Sequence, residues 1–228
     1  MKLIIGNKNY SSWSLRAWLL PAVHDIPFEE IRVTLSQPGT SSEIAQYSAA
    51  GKVPVLYDGG LFVWDSLAIC EYISEKYLAG AGWPEDITMR AEARSYSAEM
   101  HSGFFAVRQK MPMNCRALDR SVPLTAELQK EIERIDSSWS MLRQKYGESG
   151  PWLFGRFSIA DCMFAPVVMR FNTYGVVVSE SSKAYMETML LEPKIQLWVD
   201  QAAAEEEIIA EEEVGNVSSS DTKNREEV

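Results

Sequence analysis

Three short segments carry side chains able to do chemistry, and they follow one another in a fixed order. The first is Tyr10-Ser11-Ser12-Trp13-Ser14-Leu15-Arg16, between an apolar strand-like run and a helix. A helix N-terminus offers unpaired N–H groups and a positive dipole end, and a hydroxyl beside it can donate to an anion such as a thiolate. Ser11 and Ser12 serve equally well as ordinary helix caps. The second is Lys52-Val53-Pro54. A proline opening a strand here predicts a cis bond that turns the Val53 backbone outward, where its N–H and C=O meet an extended peptide as a sheet edge would. The other reading is a plain strand start. The third is Trp64-Asp65-Ser66-Leu67-Ala68 at a second helix N-terminus. There a free carboxylate pairs with an ammonium while the Ser66 N–H receives a carboxylate, which suits the α-amino-acid end of a ligand. Alone, the same pair is a helix cap.

Other chemistries lack their residues. The three cysteines, Cys70, Cys115 and Cys162, lie far apart, and the histidines are His24 and His101. Without CxxC, HExxH, a Walker loop or GxGxxG, neither a disulfide framework nor a metal or nucleotide site is expected.

The elements that position these segments follow from apolar periodicity. Leu3-Ile4-Ile5 reads as a buried strand, 12–24 as a helix with Leu15, Trp18, Leu19 and Ala22 on one face, and Ile31 and Val33 as a second strand. A short helix over 41–47, a strand over 53–57, an Asp58-Gly59-Gly60 turn, a strand over 61–63 and a helix with Ile69, Ile73 and Tyr77 inward complete a βαβαββα order. That is a thioredoxin-like α/β domain over residues 1–79. Gly80-Ala81-Gly82 and Pro84 mark a linker over 80–84. Beyond it only helical stripes remain: Met89, Ala93, Tyr96, Met100 and Phe104, then Leu128, Ile132, Ile135, Trp139 and Leu142. Ser158-Ile159-Ala160-Asp161 reads as a capping box opening an apolar helix, and 183–190 and 193–204 as further helices. An all-helical domain is therefore expected over 85–210 and an acidic, disordered tail over 211–228, with the Glu run of 205–213 as a solvated helix end.

The 228 residues are 46% hydrophobic, enough for a substantial core, and no apolar run reaches the length of a membrane span. With no signal-peptide pattern, a soluble cytoplasmic protein without membrane contact is expected. Of the net charge of −10, residues 205–228 hold −7, and no basic stripe points to nucleic acid.

Taken in order, the three segments resemble the glutathione S-transferase superfamily. Trp152-Leu153-Phe154-Gly155 before Ser158-Ile159-Ala160-Asp161 is similar to that family's helix-capping motif, and the resemblance covers residues 1 to about 210. It implies a thioredoxin-like glutathione site, a helical domain supplying the pocket for a small electrophile, a homodimer and a role in detoxification. Glutathione is then a co-substrate, with no metal and no further cofactor. Within the family the Ser-Ser-x-Ser-x-Arg turn is similar to the zeta class and points to Ser11 as the residue facing the sulfur. Other serine-type classes place that serine four residues before the helix arginine, which points to Ser12. Zeta enzymes carry Cys at the position of Trp13, and members that do thiol–disulfide chemistry carry a Cys in a turn where this chain has none. The resemblance assigns Trp13, Lys52, Val53, Pro54, Asp65 and Ser66 to glutathione, with Val53 on the cysteinyl backbone, Asp65 and Ser66 on the γ-glutamyl end and Lys52 near the glycine carboxylate. His101, Phe104 and Tyr174, with Met111 and Met113, are candidates for lining the electrophile pocket, or else packed core. The activity implied is thiol conjugation; a zeta-like cis–trans isomerase and a noncatalytic glutathione-binding or interaction module are the alternatives.

Overall fold

The computed structural model describes residues 1–215. Strands β1 (Lys2–Ile5), β2 (Glu29–Arg32), β3 (Val55–Asp58) and β4 (Leu61–Val63) form one sheet in the order β2-β1-β3-β4. β1 pairs parallel with β2 and antiparallel with β3, and β3 and β4 form the hairpin. The parallel pair needs a crossover, which helix α1 (Ser12–Val23) supplies. Strand pleating then sorts the apolar residues onto two faces. Leu3, Ile5 and Leu56 join the main core with α1 and α3 (Ser66–Tyr77), whereas Ile4, Val33 and Val55 form a smaller cluster with Ile44 of α2 (Thr40–Ala45).

The second half is helical: α4 (Ile87–Ser102), α5 (Phe105–Lys110), α6 (Ala126–Tyr146), α7 (Ile159–Thr173), α8 (Glu180–Leu190) and α9 (Pro193–Ala203). The architecture is an α/β thioredoxin-like domain followed by an all-helical domain. The linker is packed: Trp83 is buried with its indole N–H donating to Glu71 at 2.9 Å, and Ile159 N donates to Gly82 O at 2.8 Å. A Cβ on Gly82 would stand 2.7 Å from Ser74 Oγ, so only glycine passes this close to α3.

Several expectations are corrected. Tyr77 is exposed, so the apolar residues that α3 turns fully inward are Ile69, Cys70 and Ile73. The stripe expected to run unbroken to Phe104 stops at Ser102; Gly103 interrupts it, and Phe104 takes a left-handed φ of 58° as the residue before α5. Residues 205–213 are not a solvated helix end. Glu205, Glu207 and Ile209 turn toward the body on alternate positions of an extended segment, and a 3-10 turn follows at Ala210–Glu212. The disorder expected over 211–228 lies, for 216–228, outside the described residues.

The capping box forms as expected. Asp161, buried, accepts from Ser158 N at 2.8 Å, Ser158 Oγ at 3.1 Å and Leu153 N at 3.1 Å. Asp161→Ala strands two buried N–H donors, each costing roughly 1–3 kcal/mol. A loss of about 3 kcal/mol lowers Tm by roughly 6–12 °C for a chain of this size, measured by calorimetry.

Asp58 ends β3 and ties the hairpin to α3. Hydrogen bonds from Lys76 at 2.7 Å, Tyr77 at 2.5 Å and Tyr72 at 3.0 Å hold its carboxyl down at about 2. The folded value lies below the unfolded one of about 3.9, so this contribution is full above pH 4 and is lost as pH falls through 2. Asp58→Asn should therefore flatten part of the fall in Tm between pH 4 and pH 2, read from melting curves of both proteins.

Candidate functional site

The site grows from the N-termini of α1 and α3 and the turn before β3. Ser11 caps α1: its Oγ accepts from Ser14 N at 3.4 Å and donates to Ser14 Oγ at 2.7 Å. Ser14 Oγ in turn accepts from Gly6 N at 3.0 Å, which fastens the turn to the end of β1. The Ser11 proton is thus spent within the turn. Ser12, the first residue of α1 and also buried, has a hydroxyl with no hydrogen-bond partner among the described residues.

The Val53–Pro54 peptide is cis, as expected, and Trp64–Asp65 is cis as well. Neither the N–H nor the C=O of Val53 takes part in a backbone hydrogen bond among the described residues. At the second helix start, Asp65 Oδ1 caps α3 by accepting from Leu67 N at 2.8 Å. Ser66 is buried with its hydroxyl unpartnered. A buried hydroxyl without a partner costs free energy, so it marks a place where a ligand gains by binding.

These segments meet. Trp13, Lys52, Val53, Pro54, Asp65 and Ser66, with Ala50 and Trp64, line one cavity of about 250 Å³. All six residues assigned to glutathione by resemblance are among them. The residues proposed for the electrophile pocket do not gather. His101 does not line that cavity itself but touches two residues that do: its Nε2 lies 2.7 Å from Asp65 Oδ2 and its ring stands edge-on to Trp13 at 5.2 Å. Tyr174 and Met111 line a separate cavity of about 370 Å³ near Val122, Leu124 and Ile132. Phe104 and Met113 are packed in the core.

Two features carried no sequence signal. The first is a pair of cation–π contacts: the guanidinium groups of Arg16, at 4.5 Å, and Arg108, at 4.9 Å, both pack on the Trp13 ring. Arg16 is fully buried, donates Nε to Met163 O at 3.1 Å and keeps an unpartnered Nη1. Burial above all, then the charges of Arg108 and Arg170, pull its pKa well below the usual arginine value. The second is the 205–213 segment. Glu205 accepts from Lys8 N at 2.7 Å and Asn9 N at 3.0 Å, and the Tyr10 hydroxyl donates to Glu213 at 2.6 Å. Arg116 adds bonds to Tyr10 Oη and to the Glu205 and Glu207 carbonyls, and Arg120 pairs with Glu213. Between 89 and 203 positions of sequence separate these partners, and no periodicity links them.

Comparison with known proteins agrees with the fold. The family model "Glutathione S-transferase, N-terminal domain" matches residues 10–76 and "Glutathione S-transferase, C-terminal domain" matches 125–200. The chain is 30% identical to glutathione S-transferase theta-3 of Mus musculus over 79% of its own length and 73% of that protein's. It is 24% identical to a stringent starvation protein A homolog of Histophilus somni over 72% of this chain and 80% of that one. A crystal structure of a glutathione transferase homolog from Burkholderia gl BGR1 with bound glutathione superposes with a TM-score of 0.70 at 26% identity, covering 90% of this chain and 98% of the other. The chain belongs to the glutathione S-transferase family.

Removing the Glu205 carboxylate leaves the Lys8 and Asn9 N–H groups unpartnered just before the serine turn. Glu205→Ala should lower Tm by several degrees, since each lost bond to a charged acceptor contributes about 1.5–3 kcal/mol. Amide exchange at Lys8 and Asn9 should rise in the same variant, followed by mass spectrometry.

Proposed function

We propose that the protein is a serine-type glutathione transferase that activates the glutathione thiol for conjugation to a small electrophile. The observation that carries this is the single cavity in which an outward-facing Val53 backbone stands with Asp65 and the unpartnered Ser66 hydroxyl at a helix N-terminus. Glutathione is an extended peptide with an α-ammonium, two carboxylates and a thiol. Val53 pairs with its cysteinyl backbone, the α3 N-terminus and Ser66 receive the γ-glutamyl carboxylate, Asp65 takes the ammonium, and Lys52 faces the glycine end. This pose points the thiol toward the start of α1. Of the two candidate donors there, the geometry favours Ser12, whose hydroxyl is free, over Ser11, whose proton is given to Ser14. Ser12 also stands four residues before Arg16, the spacing of serine-type classes other than zeta. The zeta-like isomerase reading gains no support from this spacing.

A free thiol with a pKa near 8.5 is mostly protonated at pH 7. One hydrogen bond to the thiolate contributes about 1.5–3 kcal/mol, a shift of one to two pH units, and the helix dipole adds to it. The thiolate then attacks the electrophile, a sulfur–carbon bond forms, and the electron pair leaves with the departing group or settles on an acceptor atom of the substrate. The same reading makes the protein a cytoplasmic homodimer acting in detoxification. The likeness to a stringent starvation protein A homolog favours a second reading, a glutathione-binding interaction module without turnover. A panel of electrophiles assayed with glutathione separates the two, because turnover of any member excludes the noncatalytic reading.

The Ser12→Ala variant should still bind glutathione by calorimetry while the pKa of the bound thiol rises by one to two units. Ultraviolet titration of the bound thiolate reads this directly. Ser11→Ala should move that curve less; a larger shift there assigns the donor to Ser11.

A further inference from the structure

We propose that His101 is a positioning residue for glutathione: it fixes the Asp65 carboxylate in the orientation that receives the α-ammonium of the γ-glutamyl arm. The inference rests on the glutathione-binding reading given above and extends it to a residue of the helical domain.

Asp65 has two jobs for two oxygens. Oδ1 is committed to the α3 cap through Leu67 N at 2.8 Å. Oδ2 is not used by the cap, and Asp65 lines the cavity on a side chain 43% exposed. A carboxylate held by one oxygen still turns about its last torsion and so presents Oδ2 over a range of positions. His101 Nε2, at 2.7 Å from Oδ2, supplies the second anchor. In the neutral ring Nε2–H donates to one lone pair of Oδ2 and leaves the other for an ammonium, so the carboxylate keeps its charge for the ligand.

The imidazole is itself held by a ring contact and by a fastened helix end. It sits on the last turn of α4, and its ring stands edge-on to Trp13 at 5.2 Å and 71°. Trp13 cannot yield, because Arg16 of α1 and Arg108 of α5 pack on it at 4.5 and 4.9 Å. Arg108 also donates to Gly103 O at 2.9 Å and His101 O at 3.0 Å, which fastens the end of α4 where His101 stands. The chain of contacts runs from the buried seam between the domains to one carboxylate oxygen in the glutathione cavity. A histidine there for packing alone would not need its Nε2 aimed at the one oxygen of Asp65 that the helix cap leaves unused.

The test compares glutathione with its analogue lacking the α-amine, glutaryl-cysteinyl-glycine, on the full chain. His101→Ala should weaken glutathione binding by about five- to twentyfold in calorimetry, with the loss falling on KM rather than on kcat. It should weaken the glutaryl analogue by less than twofold, because that ligand has no ammonium for Asp65 to hold. His101→Gln, whose side-chain N–H can still donate, should recover much of the affinity and also serves if the alanine variant is poorly folded. In a double-mutant cycle, adding His101→Ala to Asp65→Ala should cost nothing further. Equal losses for glutathione and the analogue, or no loss in His101→Ala while Asp65→Ala weakens glutathione, would overturn the role of His101 and leave the site reading standing. Unaltered affinity in Asp65→Ala would remove the site reading and the role of His101 with it.

Discussion

The burial of α1 on nearly every side is the constraint on which the rest of the structure depends. All of its residues except Trp13 and Val23 are buried, packed against α3, α7 and α9 in the core it shares with one face of the sheet. A helix apolar all round has to be enclosed, and one β-sheet covers only one side of it. The second domain therefore covers the other side. α7, buried along most of its length, lies against α1, and its capping box and the packed linker around Gly82 fix where it starts. The same burial makes the N-terminus of α1 a rigid platform. At its open end Trp13 lines the cavity, and Ser11 and Ser12 stand beside it in the turn.

Polar groups in this seam are arranged around that platform. Arg16 enters the core because Met163 O accepts from it and Trp13 covers it, while its remaining charge stays near Asp65. The field under the serine turn is therefore positive from two sources, the helix dipole and buried guanidinium groups, and both favour an anion at this place. A thiolate needs such a setting, and a neutral thiol gains little from it.

The acidic end of the chain takes part in the same arrangement. Glu205 and Glu213 bring negative charge to backbone N–H groups and to Arg120 around the Lys8–Tyr10 loop. Glu205 pairs with Arg32 and Glu213 with Arg120, so these two charges are neutralised where they land. The segment supports the loop that leads into Ser11 from one side, as the Ser14–Gly6 bond does from the other.

By itself the sequence determined the two-domain division, the βαβαββα order, the Asp161 cap and the three segments that line the cavity. Each is a local matter: apolar periodicity fixes strands and helices, and cap residues and the Pro54 strand start act within a few positions. The boundary of α4 escaped because Phe104 continues the apolar spacing while Gly103 breaks the backbone. Only the tertiary structure decided which serine keeps a free hydroxyl, since that depends on Ser14 and Gly6 meeting across a turn. It alone brought His101 to Asp65, set Arg108 against Trp13, sent Tyr174 to another cavity and turned Glu205, Glu207 and Glu213 toward the body. The contacts of His101, Arg108 and these glutamates join residues 36 to about 200 positions apart. Contacts of that separation leave no periodic trace, because they are set by how whole elements pack and not by the spacing within any one of them.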